Sequence, residues 1–168
     1  MAHIDHCANV LGATLVALGD RLDGPSTASG DAALVALSEY LSGATIGTLQ
    51  TVVGLSHSGC VRLVDRLVAD GLARREHASD GRSVALAPTA AGLARAREIQ
   101  LRRLRMLAGA LDVLDDAERV AFGELCGKLL AGLRRSGSSP HAICRLCDPH
   151  VCGHPDRCPV TLAGATSA

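Results

Sequence analysis

Aromatic side chains are almost missing from this 168-residue chain: it has no Trp, and Tyr40 and Phe122 are the only other members of the class. Single-strand nucleic-acid binders stack bases on aromatic platforms, so that mode is excluded. Lysine is also scarce. Lys128 is the one lysine among 17 basic residues, and all the others are arginine. Arginine recognises phosphate and guanine bidentately, although the abundance of Ala and Gly shows that a GC-rich coding sequence would produce the same bias. No window offers about eighteen uninterrupted apolar residues, so no membrane span is expected. The opening "MAHIDHCANV" lacks the basic and apolar regions of a signal peptide, and a cytoplasmic location is the expectation. The machinery of an enzyme is missing too. There is no phosphate-binding Gly-rich loop, no Ser/His/Asp constellation on a suitable scaffold, and no βαβ pattern beside the C-x₂-C pair that a thiol oxidoreductase would need.

The charge that is present is unevenly spread. Net charge is zero, yet residues 1–55 carry five acids against Arg21, and residues 83–135 carry nine bases against six acids. Local patches set the field, so a neutral total leaves polyanion binding open. The length suits one domain with a sizeable core, or one domain with a small appendage.

Turn and cap signals divide the chain into short elements. Ile4, Leu11, Leu15, Leu18 and Leu22 mark a helix over 4–22, and "DGPSTASGD" (23–31) reads as a loop. Helices follow over 32–41 and about 45–53. Ser56 is an N-cap for a fourth helix that runs to about Asp70 and stops at Gly71. Two helices across a tight Gly-containing turn form the helix-turn-helix pattern. "LARRE" and "SVALA" read as two strands around "HASDG", with Asp80-Gly81 at the turn. Thr89 caps a long helix over 90–112, which at 1.5 Å per residue would span about 35 Å, long enough to pack beyond its own subunit. Asp115 and Glu118 start a last helix over 116–135 as a capping box. The resulting division is 1–135 for a winged helix-turn-helix and dimerisation domain, 136–140 ("SGSSP") for a linker, 141–160 for a Cys-rich metal-binding segment, and 161–168 for a flexible tail. The expected fold class is mainly α with a small two-stranded β-wing, a winged helix-turn-helix with N- and C-terminal dimerisation helices.

"LSHSGCVRLVDRLVADGLARREHASDGRSVALAPTAAG" (55–92) resembles the signature region of MarR-family transcriptional regulators. The matching features are the Leu-Ser lead-in to the fourth helix, its "RLVDRL" core, the run from Gly71-Leu72 into "RRE", the Asp-x-Arg at the wing tip, and the "LAPTAAG" lead-in to the long helix. The last departs slightly from the family's Leu-Thr-x-Ala-Gly form. The resemblance implies a sequence-specific transcriptional regulator, a repressor, that binds a pseudo-palindromic double-stranded DNA operator as a homodimer built from its first, fifth and sixth helices. It also implies a small-molecule effector bound between the DNA-binding lobe and the dimerisation helices. In this reading the fourth helix enters the major groove. Ser56, His57 and Ser58 meet base edges or phosphates, and Arg62 and Arg66 lie one turn apart on one face. Asp70, at i+4 from Arg66, could hold that arginine away from DNA. Arg82 at the wing tip enters the minor groove, with Asp80 orienting its guanidinium. Arg74 and Arg75 sit near phosphates at the strand base; the plain alternative is surface charge paired with Glu76.

The stretch "CRLCDPHVCGHPDRC" places four of the seven cysteines and two histidines in fifteen residues. In a cytoplasmic chain such a cluster favours metal binding or redox chemistry over a disulfide framework. Cys144, Cys147, Cys152 and Cys158 follow a C-x₂-C-x₄-C-x₅-C spacing whose thiolates can complete a tetrahedron around zinc. A metal would stabilise a segment too short and polar to build its own core. His150 or His154 could replace one thiolate. An iron–sulfur cluster fits the same donor count, and Cys158-Pro159 matches the Cys-Pro ending of ferredoxin-type runs. A redox-switching dithiol and a protein-docking knuckle are the remaining functional readings. Cys7 lies where some MarR relatives carry a peroxide-sensing thiol, but the tyrosine partners of those sensors are missing. Cys60 and Cys126 read as core, and His3 and His6 as surface residues.

Overall fold

The computed structural model describes residues 2–22, 28–77, 84–134 and 139–165. Among the described residues, six helices and a two-stranded antiparallel sheet follow in the order α1 (Ala2–Leu22), α2 (Ala28–Glu39), α3 (Ile46–Val53), α4 (His57–Ala69), β1 (Ala73–His77), β2 (Val84–Pro88), α5 (Ala90–Ala110) and α6 (Asp116–Leu133). Three short helices follow them among the described residues: α7 (His141–Cys144), α8 (Pro149–Cys152) and α9 (Pro159–Ala165). This is the expected winged helix-turn-helix.

Side-chain caps set the element boundaries. Thr45, Ser56, Thr89 and Asp115 each accept a hydrogen bond from a backbone N–H in the first turn of the helix that follows. Asp115 and Glu118 form the full capping box, each side chain bonding the other's N–H at 2.9 Å. Gly71, at φ 69°, takes the left-handed conformation that ends α4. Gly92 is required for a different reason. A Cβ there would collide with the Leu72 carbonyl, which accepts the Thr89 N–H at 3.0 Å, so only glycine lets α5 start this close to the strand lead-in.

The main core lies between α2, α3, α4 and the sheet. Leu37, Leu49, Val52, Cys60, Leu63, Val64 and Leu86 are its buried members. The strands pair in register from Ala73↔Pro88 to His77↔Val84. The turn before α3 adds a third layer of pairing, because Leu86 exchanges both backbone hydrogen bonds with it, to Gly43 and Ala44. A smaller cluster of Leu34, Val35, Ala96 and Ile99 joins α2 to α5.

Two sequence expectations change. α2 begins at Ala28, so residues 28–31, read as loop, form its first turn. Helix termini tolerate Ser and Gly, and Asp31 in that turn lies 3.5 Å from Arg102 of α5. Residues 161–165, read as flexible tail, are helical within α9, which packs on α6 through Val160 and Pro159 against Leu130 and Gly127. Within the run read as tail, a side chain at Gly164 would meet the Arg134 guanidinium at the end of α6, so glycine allows the close approach there.

A large apolar surface stays uncovered. α6 has no buried residue; Val120, Leu125, Leu129 and Leu133 are all exposed, as are Ile4, Leu11 and Leu15 of α1 and Leu101 and Leu104 of α5. Among the described residues, no helix is long and apolar enough to cross a membrane.

Candidate nucleic-acid interface and thiol cluster

α4 is built to show one face and bury the other. Cys60, Leu63, Val64 and Leu67 are buried, while His57, Ser58, Arg62 and Arg66 are exposed. The Ser56 hydroxyl is occupied at the N-terminus, where it accepts from Gly59 N–H at 3.2 Å and lies 3.4 Å from the Ser58 hydroxyl. His57 Nδ1 sits 3.3 Å from Gln50 Oε1, which ties the first turn of α4 to α3. Arg62 stands on the exposed face. Arg66 also points outward, and among the described residues it forms no ion pair with Asp70, which instead caps the helix end.

The strand arginines are engaged within the chain. Arg74 Nε lies 2.5 Å from Glu76 Oε1 and its Nη1 donates to the Pro88 carbonyl at 3.2 Å. Arg75 Nη2 lies 2.7 Å from Asp65 Oδ1 and so joins β1 to α4. These pairs are largely solvated and contribute little to stability. Their effect is on charge: both guanidiniums arrive at this surface with a carboxylate attached. Gln50 and Asp65, which steer His57 and Arg75, carry no sequence signal beyond being polar residues on neighbouring helices. Asp80 and Arg82 lie outside the described residues.

The second constellation is the C-terminal thiol cluster. Short-range capping folds it. Asp148 accepts from the N–H groups of His150 (2.8 Å) and Val151 (3.3 Å), Pro149 occupies the first position of α8, and Gly153 at φ 71° ends it. Cys144 closes α7, Cys147 lies in the following turn, Cys152 ends α8, and Cys158 precedes α9. The four side chains pack into one small cluster with Val160, Ile143 and Leu130.

The thiols are electrostatically unequal. Cys144 hydrogen-bonds to Cys147, which raises the Cys144 thiol and favours the thiolate on Cys147; burial opposes that thiolate and Arg103 supports it. Burial also pushes the Cys152 thiol up. Burial would raise Cys158 as well, but hydrogen bonds from Thr161, His154 and the Val160 backbone bring it down to about 7. Among the described residues, no three His, Cys, Asp or Glu side chains stand ready-made as a metal cage. The donor set nevertheless suits a soft, thiophilic metal: four cysteines meet in one small cluster, and two of them are drawn toward the thiolate form. His154 Nδ1 lies 3.1 Å from Thr161 Oγ1, and His150 is exposed.

The cluster is docked on the body of the protein. Tyr40 Oη and Gln100 Nε2 both donate to the Cys147 carbonyl, at 3.3 and 3.2 Å. Leu146 packs on the α2–α5 cluster. The Tyr40 ring stacks at 4.8 Å on His141 and meets His154 edge-on at 5.8 Å. Tyr40, Gln100 and Leu146 carry no local motif, and their role follows from contacts between positions 47 and 107 residues apart. The other cysteines stand apart: Cys7 is exposed, Cys126 is half-buried, and Cys60 is fully buried with its thiol facing the Ile46 carbonyl.

A family model described as "MarR family" matches residues 32–83. A solved MarR-family transcriptional regulator from Silicibacter pomeroyi is 31% identical, with 73% of this chain and 79% of that one covered, at a TM-score of 0.51. A MarR family protein from Bacillus stearothermophilus is 26% identical over 80% of this chain and 95% of its own, at a TM-score of 0.67. The PcaV transcriptional regulator of Streptomyces coelicolor, solved in complex with its natural ligand, is 27% identical over 79% and 94%, at a TM-score of 0.54. No curated protein matches the chain. Together with the winged helix-turn-helix and its outward-facing α4, these similarities identify the chain as a member of the MarR family of transcriptional regulators.

Proposed function

We propose that the chain is a transcriptional repressor that grips a pseudo-palindromic operator as a homodimer, with α4 in the major groove and Arg82 of the wing in the minor groove. The observation that carries this reading is the outer face of α4. Ser58, Arg62 and Arg66 are exposed there on a helix whose other face is locked into the core. Arg62 and Arg66 contact bases or phosphates; Ser56, His57 and Ser58 set register at the helix start. Arg74 and Arg75 reach phosphates by exchanging their carboxylate partners for the backbone of DNA, with Asp80 orienting Arg82.

The uncovered apolar side chains of α1, α5 and α6 support the homodimer, because a monomer rarely exposes so large a patch. A cavity of about 620 Å³ between α2, α5 and the thiol segment supports a small-molecule effector. Leu93, Leu104, Arg97 and Arg103 are among its walls. PcaV, a relative with a natural ligand, adds to that support.

Cys144, Cys147, Cys152 and Cys158 bind zinc through four thiolates. Such a site leaves no open position for catalysis and supplies folding energy to the segment. An iron–sulfur cluster is the second reading, favoured by Cys158-Pro159.

Fluorescence anisotropy with duplex DNA from upstream of the chain's own gene tests the first reading. Saturable binding that weakens steeply with salt is expected, and no preference over random duplex would refute it. Metal analysis of protein purified without oxygen tests the second. One zinc per chain and no colour is the expected result; a brown protein absorbing at about 400 nm would replace zinc with an iron–sulfur cluster.

A further inference from the structure

We propose that the Cys147 carbonyl is a clamp point through which the thiol cluster, in its metal-bound form, locks α2 to α5, with Tyr40 and Gln100 as positioning residues. This rests on the four-thiol metal site proposed above. Two side chains from separate parts of the fold converge on one main-chain oxygen. Tyr40, just beyond α2, donates to it at 3.3 Å, and Gln100, from the middle of α5, donates at 3.2 Å. A carbonyl oxygen has two lone pairs, and both are used here. The same residue holds its thiol in the cluster, and its N–H donates to the Cys144 carbonyl at 2.8 Å. A metal on the Cys147 sulfur would therefore fix the peptide to which both helices are bonded.

The neighbouring contacts give the clamp its reach. Leu146 inserts among Leu34, Val35, Ala96 and Ile99, where α2 meets α5. α7 packs on α3, the helix preceding the recognition helix. α9 packs on α6. One small knot thus touches α6 on one side and α2, α3 and α5 on the other. Coupling between sites requires such a contiguous element with two states, here the ordered and the released thiol loop.

The side chains involved are separable from the ligands. Tyr40→Phe removes only the hydroxyl and keeps the ring against His141 and His154, and Gln100→Leu removes the amide at similar volume. Neither touches a sulfur. Hydrogen–deuterium exchange is measured on the full chain with Zn²⁺ and after its removal by a chelator, and Co²⁺ replaces Zn²⁺ as a spectroscopic probe of tetrahedral thiolate ligation. In the wild type, removing zinc is expected to speed exchange in the peptides of α2 and of α5 by about tenfold, the scale of two lost hydrogen bonds. The Tyr40→Phe/Gln100→Leu variant is expected to keep the cobalt spectrum and to lose most of the zinc effect on exchange in α2 and α5. Tyr40→Phe alone, the mildest change, is expected to shrink the zinc effect. A wild-type zinc effect confined to 139–165, or an effect of wild-type size in the variants, overturns the clamp. A wild type that binds neither zinc nor cobalt overturns the metal site itself, and the absent cobalt spectrum tells that failure from the first.

Discussion

At the residue scale, neighbouring arginines of one surface are not equivalent. Arg62 projects from α4 with no carboxylate partner among the described residues, whereas Arg74 and Arg75 are paired with Glu76 and Asp65. Arg62→Ala is therefore expected to weaken operator binding by about tenfold to a hundredfold and to relax sequence preference, without lowering the thermal midpoint; anisotropy titrations and circular dichroism melts measure both. Arg74→Ala should cost less, because DNA must first displace the Glu76 carboxylate. Cysteine reactivity should follow burial in the same way. Burial pushes the Cys60 thiol above its ordinary range and closes it to solvent. Iodoacetamide at neutral pH should leave Cys60 unmodified until denaturant is added, as peptide mass spectrometry will show.

At the element scale, the helix starts are the most exacting positions. The α5 start depends on Gly92, where any side chain meets the Leu72 backbone rather than a movable side chain. Gly92→Ala should destabilise the fold by about 1–3 kcal/mol, read as a lower midpoint in urea with an unchanged slope. The wing is decided at this scale as well. β2 is buried along most of its length and bonds to the turn before α3, while β1 buries only Ala73. One strand is thus part of the core, and the other is free to carry charge toward a partner.

At the scale of the whole molecule, α6 makes no sense as part of a monomer. It is eighteen residues long, well capped, and buries none of them. Packing against a second copy would account for Leu125 and Leu129, which are 57% and 52% exposed. Leu125→Glu/Leu129→Glu is expected to convert a dimer into a monomer in sedimentation velocity and to abolish operator binding along with it. A dimer unaffected by the pair would move the interface elsewhere. The thiol segment also belongs to this scale. It packs on α2, α3, α5 and α6, although a linker such as "SGSSP" suggests independence.

The elements of the winged helix-turn-helix whose signals are local are legible in the sequence, whereas α8, though capped by Asp148 and ended by Gly153, is not read as a helix from it. Ser56, Thr89 and the Asp115/Glu118 pair are caps because a hydroxyl or carboxylate reaches backbone donors three residues away, whatever surrounds them. The face of α4 was legible from its period, since Leu63, Val64 and Leu67 recur on one side and Arg62 and Arg66 on the other. The four-thiol spacing was equally plain. Tertiary structure alone decided what those features touch. The Cys147 carbonyl finds Tyr40 and Gln100, 107 and 47 residues away, because folding closes long loops, and no periodicity encodes which distant polar groups then meet. The last turn of the chain is the same case. "TLAGA" reads as a mobile tail by composition, and is helical because Pro159 and Val160 at the start of α9 dock on Gly127 and Leu130 of α6 and carry the following turns with them.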